Sequence, residues 1–402
     1  MSKTRNRNHR LYGLLAVMLG FILTLPGLAA PVETRPANTD YEPAFEAQTR
    51  APGIETQTPY EVMILSENLR SPWAVTQLLD GRLIITQKDG TMRIYDHQKG
   101  LSGDIRGITG VWDRGQGGLL DIAPAPDFET SRMLYVTMAE ARQGGSVTAL
   151  GRGRLSRDES RVENFEILWR ADPPFNTNAH YGSRLVFDDQ GFLFVSTGER
   201  QSSQTRPKAG QLDSAYGKII RLTGDGRPAP GNPFEEDSGA LDEIWSLGHR
   251  NVQGMAIHPQ TGELWVAEMG PRGGDELNLI LPGKNYGWPV VSYGIEYSGS
   301  PVGQGITQAP GLEQPVYYWD PVLAPSGMDF YSGNVIPEWQ NNLFVGGLAG
   351  SHISRLRIKD SRVTGEERLL EGEGQRFRDI AYGEEGYLYA VTDQGRLYRI
   401  GP

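Results

Sequence analysis

His180 lies in a loop of small and polar residues at the start of the stretch NAHYGSRLVFDDQGFLFVSTGER (residues 178–200). The stretch continues as a β-strand pattern, a DDQG turn, a second strand pattern and the loop TGER. A histidine with an ordinary pKa of about 6.5 can accept a hydroxyl proton near neutral pH, which is the work of a catalytic base. On its own, the stretch leaves a second interpretation open, in which His180 only makes hydrogen bonds at the surface.

Arginines mark two further polar segments. SLGHRNVQG places Arg250 beside Asn251, and GQRFRDIA places Arg376 and Arg378 at alternate positions. A guanidinium can bind a carboxylate through two parallel hydrogen bonds, and alternate residues of a strand point to one face. Three arginines converging on one pocket of an acidic protein would predict an anionic ligand, whereas any single one is better explained by a surface ion pair.

The segment GPRGGDE (270–276) has the composition of a hard-cation site. Calcium prefers oxygen ligands, and loops rich in glycine and proline present backbone carbonyls readily. An Asp-Glu pair in such a loop is also compatible with an ordinary solvated turn.

These segments must be positioned by the fold, and a repeat in the sequence predicts which fold that is. A short β-rich run recurs six times, with turn residues before most copies, and no sustained helical spacing lies between the copies. The runs are LIIT (83–86), LYVT (134–137), LFVST (193–197), LWVAE (264–268), LFVGG (343–347) and LYAVT (388–392). They predict an all-β chain, a six-bladed β-propeller over residues 59–402, in which VMILSENL (62–69) pairs with the last blade. A large β-sandwich or two small barrels are the alternatives.

The N-terminus is different in composition. Residues 1–30 combine four basic residues, an apolar run from Leu11 to Leu25 and a small-residue end, which is typical of a secretory signal peptide, although an uncleaved anchor has the same layout. Residues 31–58 are rich in proline and threonine and predict an extended arm. Without residues 1–30 the formal charge changes from −10 to −14, because four positive charges are removed, and this disfavours nucleic acid as a partner. We therefore expect a periplasmic protein with no stable membrane insertion after cleavage.

Taken together and in order, five segments resemble the soluble, pyrroloquinoline quinone (PQQ)-dependent aldose sugar dehydrogenases over roughly residues 60–400. The segments are GQGGLLD (115–121), NAHYGSRL (178–185), SLGHRNVQG (246–254), EMGPRGGDELNLI with KNYGWP (268–289) and GQRFRDIA (374–381). The GHRN, GPRGGDELN and NYGWP series is the most specific part.

The resemblance implies oxidation of the C1 hydroxyl of an aldose to a lactone, with PQQ and Ca²⁺ as cofactors and with a further electron acceptor such as a quinone, a dye or a cytochrome. It implies that His180 is the base and that Glu199 holds the imidazole, while His249 is structural. The cofactor contacts implied are Gln116, Arg250, Asn251, Arg376 and Arg378, with Tyr297 and Ser326 matched more loosely. It implies that the carbonyls of Gly270 and Pro271 bind the Ca²⁺ that contacts the quinone, and that Glu276 and Tyr286 belong to a further Ca²⁺.

One feature departs from this family. Its members often carry a lysine after the fifth repeated strand, where this chain has Ala349 and Gly350. Two rival hypotheses also remain: a Ca²⁺-dependent lactonase or other hydrolase, and a non-catalytic carbohydrate-binding propeller. The arginines argue against the lactonase, because its calcium centre in the channel would be rich in carboxylates.

Overall fold

The computed structural model describes residues 29–402, so the predicted signal peptide lies almost entirely outside the described residues. Within that range, twenty-four strands form six four-stranded antiparallel sheets, which confirms the predicted six-bladed β-propeller. Helix is scarce: the described residues contain the short α-helix Phe128–Ser131 and the 3₁₀ turns Arg206–Gly210 and Pro337–Trp339. No helix in this range is long and apolar enough to cross a membrane.

The chain enters the ring through β1 (Glu61–Ser66), which belongs to the last blade. The blades then follow in sequence order, each from its innermost to its outermost strand. The first contains β2 (Pro72–Gln77), β3 (Leu83–Gln87), β4 (Thr91–Asp96) and β5 (Gly100–Leu101). The second contains β6 (Leu119–Pro124), β7 (Met133–Arg142), β8 (Gly145–Leu155) and β9 (Val162–Arg170). The third contains β10 (Gly182–Phe187), β11 (Leu193–Thr197), β12 (Lys218–Leu222) and β13 (Ile244–Leu247).

The remaining blades have the same layout. The fourth contains β14 (Val252–Ile257), β15 (Leu264–Glu268), β16 (Asp275–Ile280) and β17 (Tyr317–Trp319). The fifth contains β18 (Pro325–Phe330), β19 (Leu343–Gly347), β20 (Ile353–Lys359) and β21 (Arg362–Leu369). The sixth contains β22 (Phe377–Tyr382), β23 (Leu388–Thr392) and β24 (Leu397–Gly401), and β1 is its outermost strand.

The six repeated runs form the second strand of each blade. Five of these strands, β3, β11, β15, β19 and β23, are buried along their whole length. A strand packed on both faces needs apolar residues on both, so it appears in the sequence as an unbroken run without alternation. Six hydrophobic clusters result, each of which lies between two neighbouring blades.

Hydroxyl groups also join neighbouring blades. In four blades a buried Thr or Ser donates a hydrogen bond to a backbone carbonyl of the innermost strand in the next blade. The pairs are Thr86 with Leu120, Thr137 with Ser183, Ser196 with Val252, and Ser326 with Phe377. Such buried hydroxyls satisfy their own hydrogen-bonding capacity while they fix the angle between the two sheets.

The ring closes as predicted. β1 pairs antiparallel with β24, with Val62 opposite Ile400, so the first strand of the chain completes the last blade. Closure gives the sixth blade its fourth strand, and the ring of blades leaves only short, protected edges at the channel.

The predicted arm lies against the outside of the fourth and fifth blades. The amide of Tyr318 in β17 donates to the carbonyl of Gln48, and Gly53 forms a bridge with Glu366 in β21. The arm therefore covers two outermost strands that would otherwise expose unpaired backbone groups.

Candidate active site

His180 and Glu199 lie on the two loops at one end of the third blade. His180 precedes the innermost strand β10 and Glu199 follows β11, and because these strands are antiparallel the two loops meet. Nδ1 of His180 lies 2.8 Å from Oε1 of Glu199, and the residues are 3% and 0% exposed. Gly198 makes this approach possible, since a Cβ at that position would collide with the carbonyl of His180.

The electrostatics keep this imidazole neutral. The pKa of His180 is lowered to about 4, chiefly by burial and then by the Arg250 guanidinium, against the opposing effect of the hydrogen bond to Glu199. A neutral imidazole bound to a carboxylate carries its proton on Nδ1, by the logic of the hydrogen-bond network. Nε2 is then the atom that can accept a proton.

Arg200, the next residue after Glu199, holds the loop that carries His180. Its guanidinium is buried, stacks 3.6 Å from the ring centroid of Tyr181, and donates to the carbonyl of Thr177 at 3.0 Å and to Oγ of Ser146 at 3.1 Å. His180 itself has a φ of +50°, a left-handed conformation that is uncommon outside glycine. The contacts of Arg200 on the preceding turn supply part of the support that this conformation needs.

A cavity of about 350 Å³ opens at the same end of the ring. Its walls come from strand starts and strand ends of five blades. They include Trp73, Lys88, Gly115, Gln116, Gln253, Met269, Leu348, Arg376, Arg378 and Asp393. Gln116 joins this cavity to the His–Glu pair, because its Oε1 accepts the backbone N–H of His180 at 2.8 Å.

Arg376 and Arg378 share one carboxylate. Nε of Arg376 lies 2.9 Å from Asp393, and Nε of Arg378 lies 2.8 Å from the same side chain. These arginines hold the pKa of Asp393 below its usual range although burial opposes them. The predicted common face for alternate residues is therefore seen, and it presents two fixed guanidinium groups to the cavity.

Arg250 and Asn251 lie beside the cavity rather than in its wall. Nη1 of Arg250 donates to the carbonyls of Met269 and Gly270, both at 2.8 Å, while Oδ1 of Asn251 accepts the N–H of Gly182 at 3.0 Å. Met269 lines both the main cavity and the small pocket that contains Arg250. The structure thus brings together two of the three arginines, with the third on the far side of Met269.

That small pocket contains a pair of acidic side chains. Glu276 in β16 lies directly opposite Glu268 in β15, and both line the pocket together with Tyr286. Burial and the charge of Glu268 raise the pKa of Glu276 well above its usual value. Nδ2 of Asn278 donates to Oε1 of Glu268 and to Oε2 of Glu276, both at 3.1 Å. Two facing carboxyls in a buried pocket are oxygen donors of the kind that calcium prefers.

The predicted calcium ligands differ in how they are placed. Glu276 and Tyr286 face this pocket, but the hydroxyl of Tyr286 donates to the carbonyl of Leu279. The carbonyl of Gly270 accepts a hydrogen bond from Arg250, and Pro271 is buried beside it. No group of three or more His, Asp or Glu side chains in residues 29–402 is arranged as a metal site. A cation at this place would therefore depend on backbone carbonyls as well.

Two predicted cofactor contacts lie away from the cavity wall. Tyr297 is 65% exposed, and Ser326 is fully buried with its hydroxyl bound to the carbonyls of Gly346 and Phe377. His249, the competing histidine, has Nδ1 bound to Glu268 and Nε2 bound to Ser246, so neither ring nitrogen is free.

Among the residues of the site that were not predicted from the sequence are three charged ones: Lys88, Glu268 and Asp393. Each ends or follows a second strand, at the same end of its blade as Glu199. Their position at the end of the repeated strand could have identified them, because equivalent positions in successive blades surround the same mouth of the channel.

With this geometry described, the chain can be compared with known proteins. Residues 69–399 match the family described as Glucose / Sorbosone dehydrogenase. The chain belongs to this family. It is 44% identical over 347 residues to the aldose sugar dehydrogenase YliI of Escherichia coli, an alignment that covers 85% of this chain and 92% of that protein.

Solved structures of the family agree with the fold. The apo-form soluble aldose sugar dehydrogenase from Escherichia coli has a TM-score of 0.82 and 43% identity, with 86% of this chain and 100% of that chain covered. The PQQ-bound aldose sugar dehydrogenase from Streptomyces coelicolor has a TM-score of 0.71 and 28% identity, with 86% and 99% covered.

Proposed function

We propose that this member of the glucose/sorbosone dehydrogenase family is a periplasmic oxidoreductase that converts the C1 hydroxyl of an aldose to a lactone, with PQQ and Ca²⁺ as cofactors. One observation carries the proposal: a cavity walled by Arg376 and Arg378 is joined through Gln116 to a buried His180–Glu199 pair. An anion site beside a positioned neutral base is what oxidation of an alcohol with an anionic cofactor requires.

The cavity fits PQQ by charge. Its lining side chains include three cations, Lys88, Arg376 and Arg378, and one carboxylate, Asp393, which gives a formal charge of 3 − 1 = +2. PQQ carries three carboxylates, so this wall would hold it, and Gln116 adds an amide. When bound, the quinone supplies the acceptor for the hydride that leaves C1, and Ca²⁺ supplies a Lewis acid.

The protein's own residues account for the proton. His180 would take the proton of the C1 hydroxyl at Nε2, while Glu199 keeps the ring oriented and stabilises the imidazolium that forms. Because burial excludes water from both side chains, Glu199 acts on the ring with little screening.

The lactonase hypothesis is less well supported by the channel. The carboxylates in the centre of the channel, Asp121 and Asp379, lie 3.2 Å and 2.8 Å from the guanidinium of Arg184. They also accept the backbone N–H groups of Leu185 and Val75. Carboxylates neutralised in this way are poor calcium ligands.

The test is reconstitution. Purified protein is loaded with PQQ and Ca²⁺, and sugar-dependent reduction of a dye is measured over a panel of aldoses. We expect wild type to reduce the dye and His180→Ala to lose about 10²–10⁴-fold in kcat/KM. His97→Ala is the matched control, because His97 lies at the opposite end of its blade from the cavity and is partly exposed.

No dye reduction by loaded wild type with any aldose would reject the proposal. Hydrolysis of lactones without PQQ would support the lactonase, and sugar binding without either reaction would support a binding propeller.

A further inference from the structure

Lys88 reaches the main cavity from the first blade. It follows β3, the second strand of that blade, and its side chain is 23% exposed. It lines the cavity together with Arg376 and Arg378, which come from the sixth blade. The three cations therefore approach one space from two neighbouring sides of the ring.

The position of Lys88 is fixed by close packing. Its backbone amide donates to the carbonyl of Ser71, and its carbonyl accepts the amide of Leu119. Gly118 lies against it so tightly that a Cβ there would come within 2.7 Å of the Cβ of Lys88. The side chain thus leaves the backbone in a defined direction, towards the cavity.

The ammonium group of Lys88 is only partly compensated. Nζ donates to the carbonyl of Gly115 at 2.7 Å, and its nearest acidic group within the described residues, Asp113, is 4.0 Å away. Burial lowers the pKa of Lys88, and the charge of Arg378 acts in the same direction, against Asp113 and Asp393. A desolvated ammonium with spare donors gains from an anion placed in the cavity.

The fifth blade supplies no cation to the wall of the cavity. After β19 the chain continues through Leu348, Ala349 and Gly350, and Leu348 lines the cavity there. Among the residues that line the cavity, only Lys88, Arg376 and Arg378 carry positive charge.

We propose that Lys88 binds a carboxylate of the anionic cofactor, and that the first blade thereby supplies the third cation of its binding site. This inference rests on the proposed function, with PQQ as the ligand. It assigns Lys88 to cofactor affinity and leaves the proton transfer to His180.

The test is the dissociation constant for PQQ, measured in the presence of Ca²⁺ by quenching of tryptophan fluorescence, since Trp73 lines the cavity. We expect Lys88→Met to raise Kd about tenfold, which corresponds to about 1.4 kcal/mol, and Lys88→Arg to stay within about threefold of wild type. Lys99→Met is the matched control, because Lys99 lies on the same blade with its side chain 84% exposed, and its Kd should not change.

A second ligand separates charge from structure. Lys88 also holds the carbonyl of Gly115, so Lys88→Met could weaken binding by loosening that loop. The trimethyl ester of PQQ lacks the carboxylate charges, and we expect wild type and Lys88→Met to bind it equally. A tenfold loss for the ester as well would overturn the ionic role, and so would equal affinity of both proteins for PQQ. Failure of wild type to bind PQQ at all would reject the proposed function together with this inference.

Discussion

Oε1 of Glu199 lies 2.8 Å from Nδ1 of His180, and both side chains are closed off from solvent. Oε2 of the same glutamate is buried without a hydrogen-bond partner. The carboxylate is therefore directed at the imidazole alone, which is an arrangement for orienting a base rather than for a surface ion pair.

The first prediction concerns this pair. Glu199→Gln keeps the shape of the side chain but permits the other histidine tautomer, in which Nε2 carries the proton and cannot accept one. We expect kcat to fall about 10²-fold or more, with a much smaller change in KM. Steady-state kinetics of the reconstituted protein measure this. Glu129→Gln, on the exposed face of the short helix, should behave as wild type. An unchanged kcat for Glu199→Gln would remove the glutamate from the mechanism.

The second prediction concerns pH. The lowered pKa of His180, about 4, means that the imidazole is neutral and able to accept a proton throughout the range above it. Protonation blocks the base, so kcat/KM should be independent of this group near neutral pH and fall as the pH drops through about 4. Initial rates assayed at each pH, with circular dichroism at the same pH as the control for unfolding, check the acid limb. If kcat/KM instead fell at about pH 6.5 while the protein stayed folded, the imidazole of His180 would be accessible to solvent and the prediction would be wrong.

Arg200 gives the third prediction. It holds the carbonyl of Thr177 and lowers the pKa of His180 by its charge. Arg200→Met should reduce kcat and move the acid limb to higher pH, because a positive charge near the imidazole is removed. Arg200→Lys, which restores the charge, should return the limb towards that of wild type. If kcat fell in Arg200→Met while the limb stayed in place, the arginine would act only through packing.

The architecture was predictable because burial on both faces leaves a simple trace in the sequence. Runs such as LFVST and LYAVT form the second strand of a blade, which is packed on both faces. The number and spacing of these runs therefore predicted six sheets. The residues around His180 and Arg376 were predictable from polar segments placed at the starts of innermost strands. Their convergence follows from the ring, which brings equivalent strand ends to one channel mouth.

Other parts of the site could not be obtained in this way. Lys88 and Asp393 stand in QKDG and TDQG, which are ordinary hairpin turn sequences, so nothing local distinguishes them from solvated turns. Ser326 lies on an innermost strand. The strand register there decides whether its side chain points into the channel or towards the neighbouring blade. The orientation of the Arg250 side chain depends on its hydrogen bond to the carbonyl of Gly270, twenty residues later in the chain. No local sequence pattern encodes such a contact.

Ser326 gives the fourth prediction. Its hydroxyl joins the fifth and sixth blades through the carbonyls of Gly346 and Phe377. Ser326→Ala should cost about 1–2 kcal/mol of the free energy of unfolding and lower Tm by a few degrees, while Kd for PQQ and kcat stay the same. Thermal unfolding and PQQ titration of the same preparation decide the matter. A raised Kd with an unchanged Tm would return Ser326 to the cofactor site.

The fifth prediction concerns calcium at the pocket of Glu268 and Glu276. These carboxyls face each other in register, and the described residues offer no salt bridge to Glu276. An ion that binds only the folded state stabilises it by about 2.7 kcal/mol at one hundred times its Kd, so Ca²⁺ should raise the Tm of wild type after treatment with a chelator. Glu276→Gln removes one of the two charges and should lose most of that increase.

Glu236→Gln is the matched control, because Glu236 is exposed on a loop. Since the readout is thermal unfolding, the result does not depend on whether PQQ is bound. An equal increase in Tm for wild type and Glu276→Gln would place calcium elsewhere in the ring.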